Sequence, residues 1–356
     1  MSAHVLIMAA GTGGHIFPGL SVAECLKQKG ASVTWLGTPE GLENKVVPAH
    51  GIPLEPIPIK GVRGKGLLGW LMLPFQLMRA MAAVFSVIRR TRPAVCLSMG
   101  GYIAGPGGLV AKLMGLPLII HEQNAVAGLT NRWLSKIADR VFTGFPDALP
   151  NAQCVGNPVR EAIASLPHPQ IRWADRSGPL RLLVIGGSQG ARIFAKQLPL
   201  ALQQLPASTE LKVLHQAGRV YDEAQKNYAA VQLPTGVRVE LVEFIDDMAT
   251  AWAEADVAMT RAGALTIAEL SAAGVGALLV PFALAVDDHQ SANAQHLSEA
   301  GAAWQIAEHD LSVERLSEWL VQLERGELLQ RAERARALAP SGADRIVADA
   351  CLELAS

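Results

Sequence analysis

Short apolar runs alternate with amphipathic stretches along most of the chain. The runs that fit buried strands are 4–8, 32–36, 94–98, 117–120 and 140–143, then 180–185, 211–215, 237–242, 256–259 and 277–281. Runs of this length between helical patterns read as strands covered on both faces. The first helical pattern, Leu20 to Lys29, puts Leu20, Val22, Ala23 and Leu26 on one side and ends in Lys27, Gln28 and Lys29. Strand and helix alternating in this way predict an α/β fold with parallel sheets.

A glycine-rich turn between strand and helix occurs twice. Met8-Ala-Ala-Gly-Thr-Gly-Gly-His-Ile-Phe-Pro-Gly-Leu20 follows the first strand, and Gly186-Gly-Ser-Gln-Gly190 follows the strand 180–185 and leads into a helix from about Ala191. The repetition predicts two similar domains, 1–158 and 159–340. The boundary falls in the loop-rich stretch from Gly156-Asn-Pro-Val-Arg160 to Gly178-Pro179, which carries prolines at 158, 167, 169 and 179. After Pro340-Ser-Gly342, residues 341–356 hold a last helix, about Asp344 to Leu354. It can pack on either domain and is assigned back toward the first.

Composition fits this picture. A chain of 356 residues suits about two domains, and 50% apolar with 18% charged residues supports a large core. Cys25, Cys96, Cys154 and Cys351 show no C-x-x-C spacing, which argues against a zinc site or disulfide framework and suits a reducing cytoplasm. No signal-peptide pattern opens the chain, and no apolar run reaches the ~18 residues of a spanning helix.

Charge is uneven. Residues 1–160 carry 15 Lys and Arg against 7 Asp and Glu, a balance of +8, and the remainder carry 16 against 25, a balance of −9. Between Glu55 and Glu122 there is no acid, while Lys60, Arg63, Lys65, Arg79, Arg89, Arg90, Arg92 and Lys112 fall there. A basic half of this kind meets an anionic surface, nucleic acid or membrane. The segment from Gly64 to Arg90 holds a helix with Pro74 in its first turn, Phe75, Met78, Ala82 and Phe85 on one face and Leu77, Met81, Val84 and Ile88 on the next. It reads either as a buried helix preceded by a loop or as an apolar patch, mainly Leu67 to Phe75, dipping into a bilayer. Lys65, Leu68, Trp70, Leu71 and Phe75 suit acyl chains and head groups better than nucleic acid.

The first glycine turn delivers the chain to a helix N-terminus, where free N–H groups and the dipole favour an anion. His15 sits at that positive end, which disfavours imidazolium and leaves a ring nitrogen able to take a proton. The alternative is a plain βα turn with a solvated histidine. Dinucleotide binding is not expected, because Ile16 replaces the third glycine of G-x-G-x-x-G and Trp35-Leu-Gly-Thr38 offers no acid for a ribose. A third stretch, Asp256-Val-Ala-Met-Thr-Arg-Ala-Gly-Ala-Leu-Thr-Ile-Ala-Glu-Leu270, ends a strand in Thr260-Arg-Ala-Gly263 and opens a helix near Ala264. Its first turn suits a diphosphate and Glu269 suits two vicinal ribose hydroxyls, unless this is an ordinary helix with one surface glutamate. Asp246-Asp247 and Asp287-Asp288 read as solvated or capping acids rather than metal ligands. No metal and no cofactor are expected.

Seven motifs occur in one order: Gly11-Thr-Gly-Gly-His15, Gly100-Gly-Tyr-Ile-Ala-Gly-Pro106, His121-Glu-Gln-Asn124, Gly156-Asn-Pro-Val-Arg160, Gly186-Gly-Ser-Gln-Gly190, Glu243-Phe-Ile-Asp-Asp247 and Arg261-Ala-Gly-Ala-Leu-Thr266. Over nearly the whole chain this set resembles the bacterial N-acetylglucosaminyltransferases that convert lipid I to lipid II in peptidoglycan synthesis. The resemblance implies a GT-B fold, two Rossmann-like domains facing across a cleft. It implies UDP-GlcNAc as donor, lipid I (a polyprenyl-diphosphate acceptor) as partner, inversion to a β-1,4 link, and a place on the cytoplasmic face of the plasma membrane. Nucleic acid is not an implied partner.

Carried over by residue, Thr12, Gly13, Gly14, Asn124, Arg160 and Ser188 would line the donor side, and Ile245 would meet uracil through its backbone. Ala264, Leu265, Thr266, Ile267, Ala268 and Glu269 would hold diphosphate and ribose, and Gln290 the sugar. His15, Tyr102, His121 and Glu122 would face the acceptor, with His15 as base and Glu122 as the next candidate. His121, at the end of an apolar strand, also fits a hydrogen-bonded core residue. The chain departs from the common pattern at Ala104, where serine is frequent, and in the segment 283–290, one residue longer than in some relatives. Other readings are a GT-B enzyme with another acceptor, a UDP-GlcNAc 2-epimerase-like enzyme, and a membrane-associated binding protein without nucleotide.

Overall fold

A computed structural model describes residues 3–59, 73–187, 189–283 and 288–355. It divides into two compact units, Met1–Arg160 with Pro340–Ser356, and Glu161–Ala339.

The first unit is a parallel sheet of β1 (His4–Ala9), β2 (Ser32–Gly37), β3 (Leu54–Pro56), β4 (Val95–Gly100), β5 (Leu118–Glu122), β6 (Arg140–Thr143) and β7 (Gln153–Cys154). Their order is β3-β2-β1-β4-β5-β6-β7. Successive residues of β1 point to opposite faces, and both faces are covered. Val5, Ile7 and Ala9 pack with the helix Gly13–Gln28 and with Val347, Ala348 and Cys351 of the terminal helix Ala343–Ala355. Leu6 and Met8 pack on the other side with Ala80, Val84 and Ile88 of the helix Leu73–Thr91 and with Val110 and Ala111 of the helix Ala104–Leu113. This is why β1 reads as an unbroken apolar run.

The second unit orders its strands β10-β9-β8-β11-β12-β13, again all parallel. They are β8 (Leu180–Ile185), β9 (Leu211–Gln216), β10 (Val237–Val242), β11 (Val257–Thr260), β12 (Gly276–Leu279) and β13 (Ala303–Gln305). Asp256, fully buried just before β11, is held by Arg176 at 2.7 Å, by Arg325 at 3.3 Å and by the Arg181 N–H at 2.9 Å. Those contacts supply the partners that a buried carboxylate needs.

Two departures from the sequence pattern have local causes. The helix expected from Leu20 begins at Gly13. Three glycines and Pro18 disfavour helix by propensity, yet Ile16, Gly19 and Leu20 are buried in the unit's interior. Gly19 packs so closely that a Cβ there would lie 2.6 Å from Trp35. Strands β3, β7 and β13, of three, two and three residues, are too short to carry a periodicity.

Of the apolar helix residues, Ala80, Val84, Val87 and Ile88 are buried, whereas Phe75, Met78 and Phe85 stay exposed. Leu109 and Leu113, on the helix Ala104–Leu113, are exposed too. Lys65, Leu68, Trp70 and Leu71 lie outside the described residues, as do Ser188 and Asp287. No helix among the described residues is long and apolar enough to cross a membrane.

Candidate functional site

In an open parallel sheet the chain leaves its strands at the carboxyl ends, and a crevice opens where strand order reverses. The first sheet reverses between β1 and β4, the second between β8 and β11. The glycine motifs occupy these positions. In the first unit Gly11 and Thr12 link β1 to the helix from Gly13, and β4 ends in Gly100 and turns through Gly101 and Tyr102. In the second, Gly186 to Gly190 follow β8, and Arg261 to Gly263 follow β11.

Close approach explains the glycines at the first reversal. Gly100 has φ +103°, and a Cβ there would stand 3.0 Å from His15 Nδ1. Gly101 has φ +82°, and a Cβ would come within 2.5 Å of the Ala10 carbonyl oxygen. Both the backbone angle and the space exclude a side chain. Thr12 is the N-cap of the helix Gly13–Gln28, its carbonyl accepting from the His15 N–H at 3.1 Å. His15 is therefore in the first helical turn. Arg160 brings its guanidinium 5.8 Å from the Phe17 ring, beside the same turn. Tyr102 is exposed at the neighbouring turn.

The stretch leaving β5 is knotted by hydrogen bonds. His15 Nδ1 lies 2.8 Å from Gln123 Oε1. Gln123 Nε2 lies 3.1 Å from His121 Nδ1, and His121 Nε2 lies 2.8 Å from the Gly156 carbonyl. His121 is fully buried, which pushes its pKa down to about 4 against the opposing pull of the Gly156 carbonyl and Glu122. Both its ring nitrogens are engaged within the unit. Glu122 is 2% exposed. One carboxylate oxygen accepts from the Asn124 N–H at 3.0 Å and the Asn124 amide at 3.2 Å; the other accepts from the Gly128 N–H at 3.2 Å and the Asn131 amide at 2.9 Å. Four donors make Glu122 an anchor of the loop 123–128.

At the second reversal the helix Ala264–Ala273 starts from the N-cap Gly263. Leu265, Thr266 and Ala268 are partly exposed, and Ala264, Ile267 and Glu269 are buried. Glu269 Oε2 accepts from the Trp252 indole N–H at 3.3 Å. Gln290 Oε1 accepts from the backbone N–H of Ala262 at 3.2 Å and of Phe282 at 2.9 Å, tying the exits of β11 and β12 together. Arg261 reaches Glu308 at 2.6 Å, and Glu308 also accepts from the Ala283 N–H at 3.0 Å. Ile245 is partly buried beyond β10, next to Asp247, which caps the helix Met248–Glu254 through the Thr250 N–H. Trp252, Glu308, Gln123 and Asn131 were not singled out by the sequence. Gln123 lies within the motif His121–Asn124, whereas Trp252, Glu308 and Asn131 belong to no motif.

Two all-parallel units, each with a glycine-rich turn at its reversal, have the architecture of the GT-B glycosyltransferases. Among solved structures the chain is similar to MurG of Acinetobacter baumannii, with 39% identity, TM-score 0.85 and 99% of each chain covered. It shares the fold alone with the calicheamicin glycosyltransferase CalG4, at 18% identity and TM-score 0.69 over 99% of this chain and 98% of that one. The chain belongs to glycosyltransferase family 28: residues 5–143 match the model of the family's N-terminal domain and 181–349 that of its C-terminal domain. A Ralstonia nicotianae protein named UDP-N-acetylglucosamine--N-acetylmuramyl-(pentapeptide) pyrophosphoryl-undecaprenol N-acetylglucosamine transferase is 52% identical over 99% of this chain and 96% of that one. A Bordetella petrii protein of the same name is 50% identical over 99% and 98%.

Proposed function

We propose that this chain transfers GlcNAc from UDP-GlcNAc to the 4-hydroxyl of MurNAc in undecaprenyl-diphospho-MurNAc-pentapeptide, giving lipid II with inversion to a β-1,4 link. The observation that carries the reading is His15 at the β1–β4 reversal, with Nδ1 bonded to Gln123, in a chain half identical to relatives named for this transfer; on this reading Nε2 is the base. His15 Nε2 takes the hydroxyl proton as the oxygen attacks the anomeric carbon. The bond from that carbon to the diphosphate breaks, and UDP leaves with the electron pair.

Positive helix ends suit the charge that develops on UDP, because their N–H groups are already oriented. The helix from Ala264 supplies one, with Thr266 beside the diphosphate and Glu269 on the ribose. Gln290 meets the sugar and Ile245 the uracil. Thr12, Gly13, Gly14, Asn124 and Arg160 complete the donor contacts, and Tyr102 stands toward the acceptor. The polyprenyl tail keeps the acceptor in the bilayer, so the basic first unit docks on an anionic cytoplasmic surface, with Phe75 and its exposed neighbours against acyl chains.

The test is an assay with UDP-GlcNAc and a lipid I analogue, expected to give UDP and a disaccharide product. UDP-ManNAc formed without acceptor would identify an epimerase instead. Absence of heat on titration with UDP would identify a protein that binds no nucleotide.

A further inference from the structure

We infer that Gln123 is the positioning residue that fixes the tautomer of His15, holding the proton on Nδ1 and leaving Nε2 free to accept one. The inference rests on His15 being the base and adds what keeps that base competent.

The orientation of the Gln123 amide follows from groups with one possible role. One end of the amide lies 3.0 Å from the main-chain carbonyl of His121, which can only accept. That end is therefore the nitrogen. The same nitrogen faces His121 Nδ1 at 3.1 Å, so His121 Nδ1 accepts. His121 Nε2 faces the Gly156 carbonyl at 2.8 Å and therefore carries the ring proton. Each ring nitrogen and each amide atom then has a compatible partner. Turning the amide over would set its oxygen against the His121 carbonyl. It would also require His121 to carry both protons, in a site where burial strongly disfavours the cation.

With nitrogen assigned, the other end is oxygen, 2.8 Å from His15 Nδ1. Oxygen of a primary amide cannot donate, so His15 Nδ1–H does. Free histidine in water prefers the opposite tautomer, with the proton on Nε2, where it would block acceptance from a hydroxyl. Gln123 reverses that preference, much as a carboxylate orients histidine in hydrolytic triads, without adding charge. The main chain of Gln123 is itself held, its carbonyl accepting from the Asn157 amide at 3.0 Å, and Gln123 is buried. A hydrogen bond of ordinary strength corresponds to about a ten-fold change in the tautomer ratio.

The test uses full-length protein with nitrogen-15 in its histidine rings, His15 being assigned by its missing signals in His15→Ala. Wild type should show His15 protonated on Nδ1 and bare on Nε2. Gln123→Leu should move the ring toward Nε2–H and lower kcat about ten-fold, with KM for UDP-GlcNAc and Kd for UDP near wild type. In the His15→Ala background the same substitution should cost no further turnover, since the two residues act as one unit. A wild-type His15 protonated on Nε2 overturns the inference without any variant. So does an unchanged tautomer in Gln123→Leu, or an undiminished ten-fold loss in the His15→Ala background. Wild-type turnover of His15→Ala would instead remove the base assignment, while the ring spectra still decide what Gln123 does.

Discussion

The indole N–H of Trp252 points at the carboxylate of Glu269 across 3.3 Å in the interior of the second unit. One helix, Met248–Glu254, thus orients an acid on another, Ala264–Ala273. If Glu269 holds the ribose, Glu269→Ala should weaken UDP binding by about 1–3 kcal/mol. Trp252→Phe keeps the bulk and loses the donor, and should weaken it by a smaller amount. Calorimetry with UDP reads both, and unchanged affinity in Glu269→Ala would remove the ribose contact.

Gly100 lies close against the His15 ring. Gly100→Ala must place a Cβ at φ +103° and 3.0 Å from the imidazole. Backbone strain of this kind costs about 1–3 kcal/mol. The expected outcome is a lower unfolding midpoint together with a fall in turnover, at a UDP affinity close to wild type. Full turnover would show that the ring tolerates displacement.

Removing the base should be severe. A positioned general base contributes roughly 10²–10⁴-fold, so His15→Ala should lose about that factor in kcat while binding UDP normally. Single-turnover kinetics with saturating UDP-GlcNAc separate the two effects.

On the proposed reading, oriented N–H groups at helix ends meet the charge on departing UDP. Turnover should therefore survive exhaustive treatment with EDTA. Loss that magnesium restores would show that a metal shares the work.

Two buried histidines give stability a pH dependence of known sign. Burial lowers both His121 and His215 to about 4 from an ordinary 6.5. Between those values the unfolded chain binds protons that the folded chain refuses. Stability is complete above about pH 6.5 and falls as pH drops toward 4. The slope approaches about 1.4 kcal/mol per pH unit for each histidine. Urea unfolding between pH 7.5 and 5 measures it, and His215→Asn should remove one histidine's share. An unchanged slope would mean that His215 is not the titrating group.

The exposed apolar residues Phe75 and Met78 are expected to contact lipid. Sedimentation with vesicles should show binding that rises with anionic lipid and falls with salt. Phe75→Ser with Met78→Ser should weaken it and leave UDP affinity alone. Equal binding by wild type and double variant would sink the membrane reading of this helix face.

Strand positions were legible because a strand covered on both faces is mostly apolar: β1 is so from Val5 to Ala9, while β8 and β9 keep apolar runs around Arg181 and Lys212. The reversal turns were legible because only glycine tolerates the approach seen at Gly101 and Gly190. What could not be read was the partner of each motif residue. His15 and Gln123 are far apart in sequence, and nothing local to Gln123 distinguishes it from a solvent-facing amide. Glu122 was legible as an acid in a motif, but its four donors, three in the loop 123–128 and one on the helix Leu129–Leu134, were not. Trp252 resembles any helical core aromatic until Glu269 is placed beside it.

The terminal helix Ala343–Ala355 completes the core of the unit that the chain began, with Asp344 accepting from Cys25 at 3.0 Å. The whole second unit is strung between these partners. During synthesis, residues 161–339 are all available before the helix that covers Val5, Ile7 and the helix Gly13–Gln28 has left the ribosome. The unit made first is thus the last that can finish, and its incomplete face stays open to solvent and to misassembly for most of translation.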